Sequence, residues 1–291
     1  MRKIEKAFSH LNLKQKWEEK SRDGWKEETT NQKIIESAPY HIDSYEKLID
    51  AIAQISFYNR DYALFYRGQK REYLDDSKCA KIFPQIYRKD DNYNLEELWE
   101  KLNETDRKLK EHFEAHYKKF AGTSIFLKYR ELRWAIMQHY LVEKTPILDV
   151  THSPYVAASF AQFKNEKDRG IIYVLGTPSF SNTIDIFPED DMVLIRLLSF
   201  CLPKAKRPYL QEAYAVGPNP NFKLNQDSEK YKFNFSRRLI AKFSIPNSKS
   251  FWGDGHSAMP GHLLDYENDS IEKFLAAFRI DYDSVFGPPL K

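Results

Sequence analysis

The sequence predicts an α+β fold, a mixed or antiparallel β-sheet core with helices mostly in the N-terminal half. Three observations predict it. Apolar residues recur at helical spacing through much of residues 42–141. Short β-prone runs then follow one another from about residue 171 to 245. No strand–helix alternation, GxGxxG or GxxxxGK signature points to a parallel α/β sheet.

Each element has its own local reason. Residues 1–38 are polar, with Trp17 and Trp25 among lysines and glutamates, and read as a lead-in that docks through its aromatics. The domain proper covers residues 39–291. Tyr45, Leu48, Ile49, Ile52 and Ile55 share one helical face, with Asp43 or Ser44 as N-cap. Tyr62–Tyr66 is β-prone and ends on Arg67-Gly68, placing the arginine at a strand end where glycine allows close approach of backbone or ligand. Residues 80–90, with Pro84 and several aromatics, read as an irregular loop.

A charged helix follows from Leu95 to about Lys119, with Leu98, Leu102, Leu109, Phe113 and Tyr117 as a sparse stripe. A second runs from about Leu127 to Leu141 on Leu132, Trp134, Ile136 and Tyr140. Pro154 at the first helical position makes Ser153 the N-cap of a helix over Tyr155–Phe163. Strands are expected at Ile171–Leu175, Met192–Leu198, Ala213–Val216, Tyr231–Phe235 and Leu239–Ile245. Ile271, Phe274, Leu275 and Phe278 then line one face of a C-terminal helix.

Composition narrows the function classes. With 42% hydrophobic, 30% charged and 15% aromatic residues over 291 positions, the chain can bury a substantial core and does not read as disordered. A net charge of +3 is too slight to imply nucleic acid or an anionic membrane as partner, and Lys204, Lys206, Arg207, Arg237 and Arg238 give only fragments of a basic stripe. The charged N-terminus lacks the apolar stretch of a secretory signal, and no segment has the uninterrupted apolar length of a membrane span, so a cytoplasmic location is expected. Cys79 and Cys201 form no metal-binding pattern and fit a reducing compartment, which two cysteines alone do not prove. His112 and His116 are four apart, but HFEAH offers no third ligand and no metal is expected.

Chemistry concentrates in a few polar positions. In TPILDVTHSP, Ile147, Leu148 and Val150 favour burial, while Asp149, Thr151 and Ser153 either terminate a strand and cap a helix or contact an anion at the helix start. Arg67 offers a planar fork to a phosphate or carboxylate, or a salt bridge that holds the fold, with Asp149 as a partner. Gln138 and His139 close a helix beside this stretch, and His139 is either a satisfied structural group or a donor to a bound oxygen. In KRPYLQEAYAVG, Gln211 and Glu212 are read as entering a strand and pointing to opposite faces. Glu212 either stabilises a developing cation or is a solvated strand-edge carboxylate.

Phe65-Tyr66-Arg67-Gly68-Gln69, Trp134 with Gln138-His139-Tyr140, Thr145-Pro146, Leu148-Asp149, Thr151, Ser153-Pro154, Ala157, Phe160-Ala161, and Arg207 with Gln211 together resemble the FRG domain family. The resemblance runs in order from about residue 40 to 245 and departs after Gln211, where Glu212 and Ala213 replace an expected glutamine and glycine. The motif order is in turn similar to that of the ADP-ribosyltransferase superfamily. That likeness implies a split sheet, NAD as cofactor, and a protein or small-molecule acceptor. It implies Arg67, Gly68, His139, Thr151 and Ser153 as the cofactor-binding set, and Glu212, Gln211 and Arg67 as the catalytic one. The other class of function left open is a regulatory module that binds a ligand or a protein and whose polar cluster is structural.

Overall fold

The computed structural model describes residues 31–88, 94–116, 123–201, 205–219, 233–266 and 268–286. The chain divides into two units that alternate along the sequence. Unit 1 draws on Met1–Ile82, Thr151–Phe180 and Asn234–Leu264; unit 2 draws on Phe83–Val150, Ser181–Phe233 and Asp265–Lys291. The proposed docking of Trp17 and Trp25 lies outside the described residues.

In chain order the elements are α1 (Asn31–Glu36), β1 (Tyr40–His41), α2 (Tyr45–Tyr58), β2 (Ala63–Gln69), α3 (Leu95–His116), α4 (Thr123–Lys128), α5 (Arg130–His139) and β3 (Leu148–Thr151). There follow α6 (Pro154–Gln162), β4 (Arg169–Thr177), β5 (Ile184–Phe187), β6 (Met192–Arg196), α7 (Leu197–Phe200), α8 (Lys206–Leu210), β7 (Ala213–Pro218), β8 (Leu239–Pro246), α9 (Gly261–Leu264) and α10 (Ser270–Phe286). Helices and a mixed sheet make this an α+β protein, as expected.

In unit 1 the strands lie in the order β1-β8-β4-β2. The β1–β8 pair is parallel; β8–β4 and β4–β2 are antiparallel. All of β4 except Arg169 is buried, as befits a central strand covered on both faces. Ser44, not Asp43, caps α2, its hydroxyl accepting from Lys47 N at 3.3 Å. Leu48, Ala51, Ile52 and Ile55 of α2 form one core with Ala157, Ala158 and Ala161 of α6 and with Ile172, Val174, Phe243 and Ile245 of the sheet. The last residues of the expected lead-in are part of this unit: Ile34 and Ile35 of α1 are buried, and Lys242 Nζ donates to Ile35 O at 3.1 Å.

In unit 2 the strand order is β3-β7-β6-β5, with β6 antiparallel to both neighbours. Leu98, Leu102 and Leu109 of α3 pack in one core with Leu132, Trp134, Ile136 and Met137 of α5, Val193 and Ile195 of β6, and Phe274, Leu275 and Phe278 of α10. This realises the stripes read from the sequence, except for Tyr117, which lies outside the described residues. The ring of His112 packs at 5.1 Å from Phe274, so this histidine belongs to an aromatic core. Among the described residues no cluster of His, Cys, Asp or Glu could hold a metal, and no helix is long and apolar enough to cross a membrane.

Several boundaries differ from expectation for identifiable reasons. The helix expected over Leu127–Leu141 breaks at Tyr129 into α4 and α5. Arg133 bridges the break by donating from Nη1 to the terminal carbonyls of Phe126 and Leu127, at 2.7 and 3.0 Å. The strand begun at Met192 stops at Arg196, and Leu197 opens a short helix. Of the strand expected at Tyr231–Phe235, Tyr231 is outside the described residues and Phe235 begins a 3-10 turn. Asn234 diverts the backbone there, its Oδ1 accepting from Ser236 N and Ile82 N at 3.1 and 2.9 Å.

Candidate functional site

Arg67 lies within β2, not at its end. The strand continues through Gly68 and Gln69 because β4 continues opposite, pairing Arg67 with Tyr173, Gly68 with Ile172 and Gln69 with Ile171. On its other side β2 pairs Tyr66 with Thr151. Facing residues of an antiparallel pair have Cα atoms about 4.5–5.5 Å apart. The half-buried Arg67 therefore sits one residue from the position opposite Thr151, on the adjoining strand.

Thr151 begins a tight turn into α6. Its Oγ1 accepts from Ser153 N at 3.0 Å, and Ser153 Oγ accepts from Val156 N at 3.4 Å, with Pro154 opening the helix as expected. Both hydroxyls thus cap the turn, and both residues are buried. The His152 ring lies over Phe65 with centroids 4.2 Å apart, which fixes the turn from the other side.

Gly68 has a clear packing role. A Cβ there would overlap the carbonyl oxygen of Ala157, and one on Gly170 would overlap that of Ala161. The group that comes close to Gly68 is therefore the backbone of α6. Burial, partly opposed by a hydrogen bond with Ser56, pushes the Tyr66 phenol up to about 12. Tyr173, opposite Arg67, is raised chiefly by burial as well.

In unit 2 the expected polar residues form a closed network. Gln138 Nε2 donates to Asp149 Oδ2 at 3.2 Å, and Gln138 Oε1 accepts from Thr145 Oγ1 at 2.9 Å. His139 Nδ1 meets Asp149 Oδ1 at 3.2 Å. Both carboxylate oxygens of Asp149 are engaged, and the His139 side chain is 1% exposed. Its Nε2 has no hydrogen-bond partner among the described residues.

Arg207 is held just as firmly. Its guanidinium pairs with Asp265 and Glu272, donates to His139 O at 3.5 Å and lies 5.3 Å from the Tyr140 ring centroid. Its backbone N donates to Asp269 Oδ2 at 2.9 Å, while Asp269 Oδ1 accepts from Ile271 N at 2.7 Å and so caps α10. Burial drives the nearby Tyr140 and Cys201 protons to be held more tightly. Asp265, Asp269 and Glu272 were not singled out from the sequence. They lie some sixty residues further on; the Asp269–Glu272 spacing is that of a capping box, which marks a helix start and not a partner of Arg207.

Gln211 and Glu212 do not enter a strand. Gln211 is the C-cap of α8, and Glu212 has φ +43 before β7 starts at Ala213. Their amides close the helix on Arg207 O and Tyr209 O at 3.0 and 3.2 Å. Glu212 is exposed, with its side chain displayed by a left-handed turn and not by strand alternation.

Of the seven expected residues, then, Arg67, Gly68, Thr151 and Ser153 belong to unit 1, and His139, Gln211 and Glu212 to unit 2. Residues 62–170 match the family model of the FRG domain. The chain carries an FRG domain. No curated protein and no solved structure matches the chain. The FRG match runs from the start of β2 into the first residues of β4 and contains Arg67, Gly68, His139, Thr151 and Ser153. Gln211 and Glu212 fall outside it.

Proposed function

We propose that this FRG-domain protein binds NAD and cleaves its nicotinamide–ribose bond, transferring ADP-ribose to water, a protein or a small molecule. The observation that carries this reading is the register of unit 1. It sets Arg67 one residue beyond the Tyr66–Thr151 pair, on the face of β2 that carries Phe65, against which the His152 ring of the turn packs at 4.2 Å. A half-buried guanidinium supplies a fork for a diphosphate.

The order of these parts is similar to that of ADP-ribosyltransferases, with an arginine strand first and a Ser/Thr strand next. In such chemistry the bond from ribose C1′ to the nicotinamide nitrogen breaks, the electron pair leaves with nicotinamide, and the oxocarbenium-like centre is captured by the acceptor's lone pair. The acceptor's proton passes to a base. Exposed Glu212, with Gln211 beside it, is the candidate for that role.

Titration of the full chain with NAD, followed by release of nicotinamide, tests this. Arg67→Ala should weaken NAD binding at least about ten-fold, the loss of one charged hydrogen-bonded contact. Glu212→Gln should leave binding intact and lower turnover by about a hundred-fold or more. Absence of NAD binding by the parent chain overturns the proposal.

A second reading has a specific observation in its favour. Gln138, His139, Thr145, Asp149 and Arg207 direct their polar atoms largely at one another and at Asp265, Asp269 and Glu272. A module that binds a ligand or a protein without chemistry would have its polar cluster arranged this way. It predicts a chain that binds but never releases nicotinamide, whichever of Gln211 and Glu212 is changed.

A further inference from the structure

Unit 1 contains a pocket of about 500 Å³ at the far end of α6 from Ser153, between that helix, the residues following β8, and the 256–259 loop. Its volume is that of a small-molecule site. Internal hydrogen bonds hold the walls in place. Gln162 joins three segments: its Nε2 donates to Pro246 O at 2.7 Å, and its Oε1 accepts from Trp252 Nε1 at 2.8 Å. Ser159 Oγ accepts from Met259 N at 2.9 Å and fixes the loop across the top. Asn247 Nδ2 donates to Asn165 O and Lys167 O, at 2.6 and 3.1 Å.

What remains for a ligand is an apolar surface with a positive rim. Phe163, Trp252, Met259 and Leu264 give the apolar lining, and Gly261 lets α9 lie against the Phe163 ring, where a Cβ would meet ring carbon Cε2 at 2.7 Å. One ammonium, Lys249, and the His256 imidazole line the pocket, and no carboxylate does. Lys249 is exposed and has no ion-pair partner among the described residues. A second ammonium, Lys164, lies 4.8 Å from the Phe163 ring centroid.

The C-terminal end of α6 would by its dipole repel an anion, but its carbonyls are already engaged. Ser159 O accepts from Phe163 N at 2.8 Å, Gln162 O from Asn165 N at 3.1 Å, and Ala161 O from Asn165 Nδ2 at 2.8 Å. The lysine charge therefore sets the sign of the rim.

We propose that this pocket binds a small organic anion with a planar apolar body, the rings lying against Phe163 and Met259 and the acidic group at Lys249. The site is separate from the Thr151–Ser153 turn: α6 rises about 1.5 Å per residue, and the pocket residues Ser159 and Gln162 are the sixth and ninth of its nine residues.

Anilinonaphthalene sulfonate, a planar apolar anion whose fluorescence rises on burial, is a direct probe on the full chain. Saturable binding at one site per chain is expected. Its uncharged parent, phenylnaphthylamine, should bind about three- to five-fold more weakly, and the sulfonate should bind about ten-fold more weakly to Lys249→Glu, where lost attraction and new repulsion add. Ala258→Trp, which fills the cavity, should abolish binding of both dyes while the melting temperature stays near that of the parent. Equal affinity for the two dyes, or no effect of Lys249→Glu, overturns the anion assignment. Undiminished dye binding by Ala258→Trp, or none by the parent chain, overturns the site. Because neither dye is a dinucleotide, failure here is distinguishable from failure of NAD binding.

Discussion

Lys242 is 4% exposed in the middle of β8, and its ammonium is held by Glu72 Oε1 at 2.7 Å and Ile35 O at 3.1 Å. Burying such a charge is tolerable only because both partners meet it. Removing the lysine alone strands Glu72, whose side chain is 15% exposed, together with a carbonyl. Lys242→Met should therefore destabilise the protein by about 3 kcal/mol, and adding Glu72→Leu should recover most of that loss. Urea midpoints of the parent, the two single variants and the double variant measure it. A double variant no more stable than Lys242→Met would mean that the pair's role is in positioning α1 rather than in compensating charge.

At the scale of elements, the Gly68 of the FYRG run is a packing residue for a helix. The alanines of α6 and the glycines of β2 and β4 bring backbone against backbone, so any side chain at Gly68 meets the Ala157 carbonyl. Gly68→Ala should cost about 3 kcal/mol or more, read as a lowered melting temperature with poor soluble yield. A variant of parental stability would show that α6 can shift.

The sequence carried this element partly in plain view. Ser153-Pro154 marked the helix start, and Ala157 with Phe160-Ala161 belonged to the FRG resemblance, because capping and N1 proline are local signals. The extension of β2 through Arg67 was not legible, since strand length there is set by a partner, β4, a hundred residues away. Glu212 shows the same limit at a turn. LQEAY reads as the entrance to a strand, but closure of α8 on Arg207 O and Tyr209 O puts a glutamate in the left-handed region. The partners of Arg207 were hidden for a related reason: the Asp269–Glu272 spacing marks a helix cap, and nothing local says that the cap and Asp265 also meet an arginine some sixty residues earlier.

For the whole molecule, the consequential fact is how the family boundary cuts the fold. The FRG match ends at residue 170, one residue after β4 has begun. Every β4 partner of β2, from Ile171 to Thr177, lies beyond it, as does β8, which pairs with β4 on the other side. A fragment of residues 62–170 would retain the FYRG run, the Gln138–Asp149 network and the α6 cap, yet β2 would keep only the Tyr66–Thr151 pair. Unit 2 would lose β6, β7 and α10, hence Val193, Ile195, Ala213, Ala215, Phe274 and Leu275 from its core. Burial of that apolar surface is the main force available to offset chain entropy. The fragment should therefore show no cooperative urea transition, whereas residues 31–291 should unfold cooperatively; circular dichroism on both decides it. A sharp transition in the fragment would mean that α3, α4, α5 and α6 suffice for a stable core, and that the β4 and β8 strands serve the site and not the fold.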